Sequence, residues 1–263
     1  MVAYTQSLQV QTETRGEVPE GAVSFAVQRI TSLVRAASEP VLSVRVELIM
    51  APDPAVERPA SAQVNIDLNG RLVRAQAVGE TMRVATEHAC DRLRVRMQRA
   101  ARNWAAIRGG QPSREPGEWR HQSLPAPRPP YFPRPLGERA VMRRKSYATA
   151  RLTPGEAAAD TELLDYDFYL FTEKSTGEDA VMYRVSDGYR LALAHPRSGR
   201  LGPVDPCIAV STLSAPRLPV SGATTRLEAT GQLFVFFVNT ETNRGNLIYH
   251  RQDGHYGLIE PAQ

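Results

Sequence analysis

Residues 168–171 read Phe168-Tyr169-Leu170-Phe171, and residues 234–237 read Phe234-Val235-Phe236-Phe237, an apolar block that returns after 66 positions. The same offset, with no gap, carries Thr176 to Thr242, Tyr183 to Tyr249, Asp187 to Asp253 and Gly188 to Gly254. Each copy reads as a strand, a turn, a second strand, an Asp-Gly turn and a short last strand. A unit of that size is too small to bury a core alone. Two copies in one chain are therefore expected to bury against each other as a pseudo-dimer. Alternation along the strands puts Phe168, Leu170, Val181 and Tyr183 of the first copy on one face. Phe234, Phe236, Leu247 and Tyr249 form the matching face of the second, and these eight residues are the expected inter-repeat interface. The expected bounds are 148–196 for the first copy, 197–213 for a connector and 214–263 for the second copy. The connector is long enough to let the copies dock in cis, so the expected state is a monomer.

Upstream of the copies, residues 108–145 hold eight prolines and nine basic against three acidic side chains. Proline removes donors and fixes φ, so the stretch builds neither helix nor ladder. Residues 108–147 are expected to be a stiff, extended, cationic linker.

Before the linker, residues 1–107 carry the pattern of one α+β unit. Alternation at 7–14 and 41–50 predicts two strands. Between them, Pro19 opens a helix with Ala22, Phe25, Ala26, Ile30, Leu33 and Ala37 as its apolar stripe. Strands at 63–68 and 71–78 meet at Asn69-Gly70, a strong hairpin signal. A long helix is predicted over 80–104. The order is β-α-β-β-β-α, a helix pair on a small sheet.

The second helix carries the chemistry. Met82, Ala85, Ala89, Leu93, Met97, Ala100 and Trp104 form its buried stripe. Arg92, Arg96 and Arg99 lie together beside that stripe, while Arg83, Arg94 and Arg102 lie on its other flank. From Arg92 to Arg108 there are six arginines and no carboxylate. A plain solvated helix face would intersperse Glu for i,i+4 support. Uncompensated repulsion instead points to an anion, and Arg29, Arg71 and Arg74 extend the candidate surface. Thirty of the 32 cations are Arg, whose planar fork suits phosphate.

Other classes fit poorly. No apolar run is long enough to span a membrane, and residues 1–15 are polar and alternating, unlike a secretory signal. Cys90 and Cys207 are far apart, with no Cys-x-x-Cys and no nearby His cluster, so neither a metal site nor a disulfide framework is expected. This usage suits a reducing cytoplasm. His88 and Cys90 diverge on their helix, and no phosphate loop or carboxylate pair is apparent. No catalytic role and no cofactor are expected.

The tail, Asn246-Leu-Ile-Tyr-His-Arg-Gln-Asp-Gly-His-Tyr-Gly-Leu-Ile-Glu-Pro261, resembles the ending of long ribosome hibernation-promoting factors. Leu163-Leu-Asp-Tyr-Asp-Phe-Tyr-Leu-Phe171 resembles the start of the same C-terminal domain. The N-terminal element order, Gly70 with Leu72-Val-Arg-Ala75, and residues 82–93 resemble that family's ribosome-binding domain. The family carries one C-terminal domain where this chain has two, and each copy keeps only half of the motif. Arg83 stands where the family has Tyr after Met, and its many lysines are arginines here. The tandem arrangement and the Ala/Arg/Pro-rich composition look most like the dormancy-associated form of high-GC actinobacteria such as mycobacteria. The resemblance implies that the N-terminal domain sits in the messenger and transfer RNA channel of the small ribosomal subunit. There it would hold through arginine–phosphate contacts to ribosomal RNA and block translation reversibly. The usual family member joins two ribosomes through its C-terminal domain, whereas pairing of the two copies in cis is expected here to leave single, silent ribosomes. An alternative in a different class is a transcription or signalling modulator acting by protein contact.

Overall fold

The computed structural model describes residues 10–52, 56–108, 134–186, 188–196, 201–202, 204–251 and 253–262, with the backbone alone at 102–108. The chain divides into two compact units. The first joins the N-terminal residues with Glu162–Asp165; the second comprises the remaining C-terminal residues.

In the first unit, β1 (Val10–Arg15) lies parallel to β2 (Val41–Met50), and β3 (Ala60–Leu68) and β4 (Arg71–Gly79) continue the sheet antiparallel in the order β1-β2-β3-β4. Asn69 and Gly70 both take positive φ in the β3–β4 turn, as a two-residue hairpin of this hand requires. Pro19 is the N-cap of α1 (Glu20–Arg35), not a residue of its first turn. The second helix, α2, spans Met82–Arg108. The alternating residues Val44, Val46 and Leu48 of β2, Val64 and Ile66 of β3, and Val73 and Ala75 of β4 are buried against Ala26 and Ile30 of α1 and Ala85, Ala89 and Leu93 of α2. The period of two on the sheet and of 3.6 on the helices thus meet in one core.

The second unit holds two five-stranded sheets. After a short 3-10 turn at Leu136–Glu138 come β5 (Val141–Tyr147), β6 (Arg151–Leu152), α3 (Pro154–Leu163), β7 (Phe168–Glu173), β8 (Asp179–Val185) and β9 (Gly188–Leu193). The second copy repeats them as β10 (Ile208–Val210), β11 (Arg217–Leu218), α4 (Val220–Thr230), β12 (Phe234–Asn239), β13 (Gly245–His250) and β14 (Tyr256–Pro261). The sheet orders are β10-β9-β8-β7-β6 and β11-β12-β13-β14-β5. The first strand of each copy is therefore exchanged: β5 runs parallel to β14 of the second copy, and β10 runs parallel to β9 of the first.

Three sequence expectations change here. Residues 141–147, read as the end of the linker, form β5, and residues 208–210, read as connector, form β10. Both are edge strands, and Arg143-Arg144-Lys145 on β5 is the charged, exposed dress of an edge, which masks strand character. Helices α3 and α4, absent from the sequence reading, cover one face of each sheet. Of the rest of the expected linker, 109–133 lies outside the described residues.

Candidate anion-binding face and inter-repeat interface

The arginines of α2 fall into two sets. On the outer side, Arg83 and Arg94 reach solvent, with side chains 71% and 51% exposed. Arg83 places its guanidinium 4.6 Å from the centroid of the Phe25 ring of α1 and lies 3.7 Å from Glu87. Arg94 lies 3.3 Å from Asp91. Ion pairs this exposed hold their arginines weakly, so both forks remain available to an external anion. Arg29 of α1 is half-buried. It contributes positive potential near Cys90, whose thiol burial nonetheless pushes up.

Arg92, Arg96 and Arg99 do come together on one side of α2, but not as an open surface. Arg96 is 1% exposed; it donates through Nη2 to Asp165 Oδ1 at 2.7 Å and through Nε to the Glu162 carbonyl at 3.0 Å. Arg92 donates to the same carboxylate oxygen at 2.9 Å, and Arg99 to Glu162 Oε1 at 2.9 Å. The second oxygen of Asp165 accepts the backbone N–H of Gln76 at 2.8 Å. The expectation of an uncompensated face is corrected: its counter-charges come from Glu162–Asp165, far along the chain, where no helical spacing rule looks. Arg74, also half-buried, is turned to Gln63 and Gln76 at 2.7 and 3.0 Å. Arg71, at the start of β4, is half-buried as well, and the side chain of Arg102 lies outside the described residues.

All eight residues of the expected inter-repeat set fall in one cluster. Leu170, Val181, Phe236 and Leu247 are buried in it with Ala194 and Val238, and Phe168, Tyr183, Phe234 and Tyr249 pack around them. Phe234 meets two rings of the first copy, its centroid 5.0 Å from that of Phe168 and 5.2 Å from that of Tyr183. Alternate residues face the other way. Tyr169, Phe171, Ala180 and Met182 meet Ala157 and Ala158 of α3, while Val235, Phe237 and Ile248 meet Ala223 and Leu227 of α4. Each exchanged strand also contributes to the core it joins, Ile208 to the first and Val141 to the second.

The tail motif has a packing reason. Tyr249 and Gly257 are cross-strand partners on β13 and β14, and a Cβ on Gly257 would lie 2.3 Å from the Tyr249 ring. Only glycine leaves that ring room. His250 and Tyr256 of the motif close over Glu228 of α4. The Tyr256 hydroxyl donates to Glu228 at 2.5 Å, and Arg139 binds both oxygens of that carboxylate at 2.7 and 3.0 Å. Burial and the neighbouring carboxylate push the Tyr256 phenol up to about 12. Burial would raise Glu228, yet the hydrogen bonds from Tyr256 and Arg139 hold it below its usual value.

Among the described residues no group of three His, Cys, Asp or Glu could hold a metal ion, and no helix is long and apolar enough to cross a membrane. His88 is exposed whereas Cys90 is buried, so the two do not form a pair.

The two strand-exchanged copies are copies of one known small domain. The family profile described as sigma 54 modulation/S30EA ribosomal protein C terminus matches residues 137–191 and again 206–258, each match opening just before an exchanged strand. The dormancy associated translation inhibitor of Mycobacterium tuberculosis is 35% identical over 232 residues, which covers 83% of this chain and 76% of that protein. The chain belongs to the sigma 54 modulation/S30EA ribosomal protein family. The ribosome hibernation promotion factor of Picosynechococcus sp. is 27% identical over 164 residues, or 60% of this chain and 80% of that protein. Among solved structures, the Protein Y N-terminal domain of Thermus thermophilus matches with a TM-score of 0.30 at 21% identity, covering 35% of this chain and 99% of that one.

Proposed function

We propose that the protein is a ribosome hibernation factor of the cytoplasm, which binds the small ribosomal subunit in its messenger and transfer RNA channel and blocks translation without any chemical step. The observation that carries this reading is the likeness, along most of both chains, to a protein named a dormancy associated translation inhibitor. The exposed forks of Arg83 and Arg94, with Arg29 beside them, suit phosphate oxygens of a folded RNA, which is recognised by shape and backbone and not by base edges. Arg71, Arg74 and Arg102 are further candidate contacts of the same unit. Arg92, Arg96 and Arg99, which hold Asp165 and Glu162, stand outside this contact. The paired copies occupy each other's apolar faces, so the protein acts as a monomer on single ribosomes.

The test is co-sedimentation of the full chain with purified ribosomes at rising salt, beside translation of a reporter messenger. Six phosphate contacts predict an affinity loss of about a thousandfold between low and physiological salt. Binding that ignores salt, or binding without inhibition of translation, would overturn the proposal.

A further inference from the structure

The repeat offset of 66 pairs position 179 with 245 and position 178 with 244, and position 179 meets both 244 and 245 in space. Asp179, at the start of β8, accepts the backbone N–H of Gly245, at the start of β13, at 2.7 Å. The Arg244 guanidinium grips the same carboxylate with both arms, Nε to Oδ2 at 2.8 Å and Nη2 to Oδ1 at 2.9 Å. Asp179 is 7% exposed. Where equivalent positions of the two copies face one another, one side therefore carries Glu178-Asp179 and the other Arg244-Gly245. The fit is steric as well as electrostatic. A Cβ on Gly245 would lie 2.6 Å from the Asp179 Cβ and 3.0 Å from the Phe236 ring.

We propose that Glu178-Asp179 and Arg244-Gly245 form a selectivity lock that admits the first copy only to the second and rejects pairing of like with like. Two first copies brought together would set two Asp179 carboxylates against each other, with an Asp side chain where the glycine now makes room. Glu178, whose carboxylate lies 3.1 Å from His195, would add charge beside them. Two second copies would set two guanidiniums side by side with no acceptor, over the gap left by two glycines. Interfaces commonly gain specificity through such built-in penalties against the wrong partner. The aromatic part of the apolar faces does not discriminate, because Phe168 matches Phe234, and Tyr183 matches Tyr249, in kind. Leu170 against Phe236 and Val181 against Leu247 differ in size and not in charge. Since each chain carries one copy of either sort, the lock is satisfied internally. Being joined in one chain gives the copies an effective concentration on the order of millimolar, ahead of any second molecule. Equivalent surfaces that have diverged to opposite charge no longer support a closed two-fold dimer, which needs one self-complementary patch.

The inference rests on the pairing of the copies and not on ribosome binding, so its test needs no ribosomes and its outcome leaves the proposed function untouched. Two full-chain variants are compared with the parent by light-scattering mass, binding of an apolar-surface dye and thermal unfolding. The first, Arg244→Glu with Gly245→Asp, gives both copies the acidic pattern. It should lose the parent's compact monomer, with raised dye binding and a lowered unfolding midpoint. The second adds Glu178→Arg and Asp179→Gly, which exchanges the patterns between copies. It should recover monomer mass and low dye binding. A first variant indistinguishable from the parent would overturn the proposal. So would an exchange variant as damaged as the first, because the positions would then resist any change instead of requiring complementarity.

Discussion

Phe168 and Phe234 occupy the same place in the two copies, 66 residues apart, and their ring centroids lie 5.0 Å apart in a tilted contact. A sequence repeat has become a spatial one: the corresponding residues touch. Aromatic pairs in this geometry contribute about 0.5–1.5 kcal/mol beyond their buried area. In denaturant unfolding of the full chain, Phe168→Leu and Phe234→Leu should therefore couple by about 1 kcal/mol in a double-mutant cycle. Strict additivity of the two changes would show that the rings do not meet in solution.

The two sets of arginines on α2 should separate in their response to charge reversal. Arg83→Glu with Arg94→Glu alters side chains 71% and 51% exposed and should leave the fold within about 0.5 kcal/mol of the parent. Ribosome binding at physiological salt should fall by more than tenfold. Arg96→Glu places a carboxylate at a site 1% exposed beside Asp165 and should cost about 3–5 kcal/mol of stability, as for one partner removed from a buried ion pair. Circular dichroism melts and co-sedimentation together distinguish the two. If the exposed pair leaves ribosome binding unchanged, the RNA contact lies elsewhere on the unit.

His250 gives the C-terminal unit a pH dependence. Burial, aided by Arg139, pushes its imidazole below the usual 6.5, while Glu228 opposes the shift, with His250 Nδ1 3.9 Å from Glu228. The folded protein therefore holds the ring neutral where the unfolded chain protonates it. By linkage, stability is fully present above about pH 6.5 and is lost as pH falls from there through the folded value. Glu228 and Asp253, held below the usual carboxylate range, lose their contributions only at more acidic pH. His250→Gln should flatten the first window and leave the second. Unfolding midpoints between pH 7.5 and 5 would show this, and an unchanged slope in the variant would exclude His250 as its source.

The N-terminal unit was legible because its two periods are clean. Val44, Val46 and Leu48 alternate, Ala85, Ala89 and Leu93 follow a helix, and Asn69-Gly70 marks the hairpin. The repeat gave the interface, because alternation from Phe168 and Phe234 selects one face of each sheet. Helices α3 and α4 escaped because they are short and carry few apolar anchors, Ala157 and Ala158 in one and Ala223 with Leu227 in the other. A local signal for α3 was nevertheless present. Thr153 and Glu156 form a capping box, with the Glu156 carboxylate accepting the Thr153 N–H at 2.8 Å and the Thr153 hydroxyl accepting the Glu156 N–H at 3.3 Å. The strand exchange and the burial of Arg96 were not legible. Both depend on partners distant in sequence, β14 for β5 and Asp165 for Arg96, which no local pattern encodes.

Strand exchange bears directly on what the protein does to ribosomes. A single C-terminal domain of this kind must find its exchange partner on another molecule, whereas here β5 completes the sheet of the second copy and β10 that of the first. Leu170, Val181, Phe236 and Leu247 are buried between the copies. Burial of side chains of this size is worth about 1.5–3 kcal/mol each. Opening the pair to recruit a second molecule would expose all of them before any new contact formed. Adding the protein to purified ribosomes should therefore leave the single-ribosome peak of a sucrose gradient in place, with the protein migrating in it and translation silenced. Phe236→Asp, which places a charge in the buried cluster, should disrupt the pairing while the N-terminal unit still binds. A strong ribosome-dimer peak with the parent protein would mean that its copies pair between molecules instead.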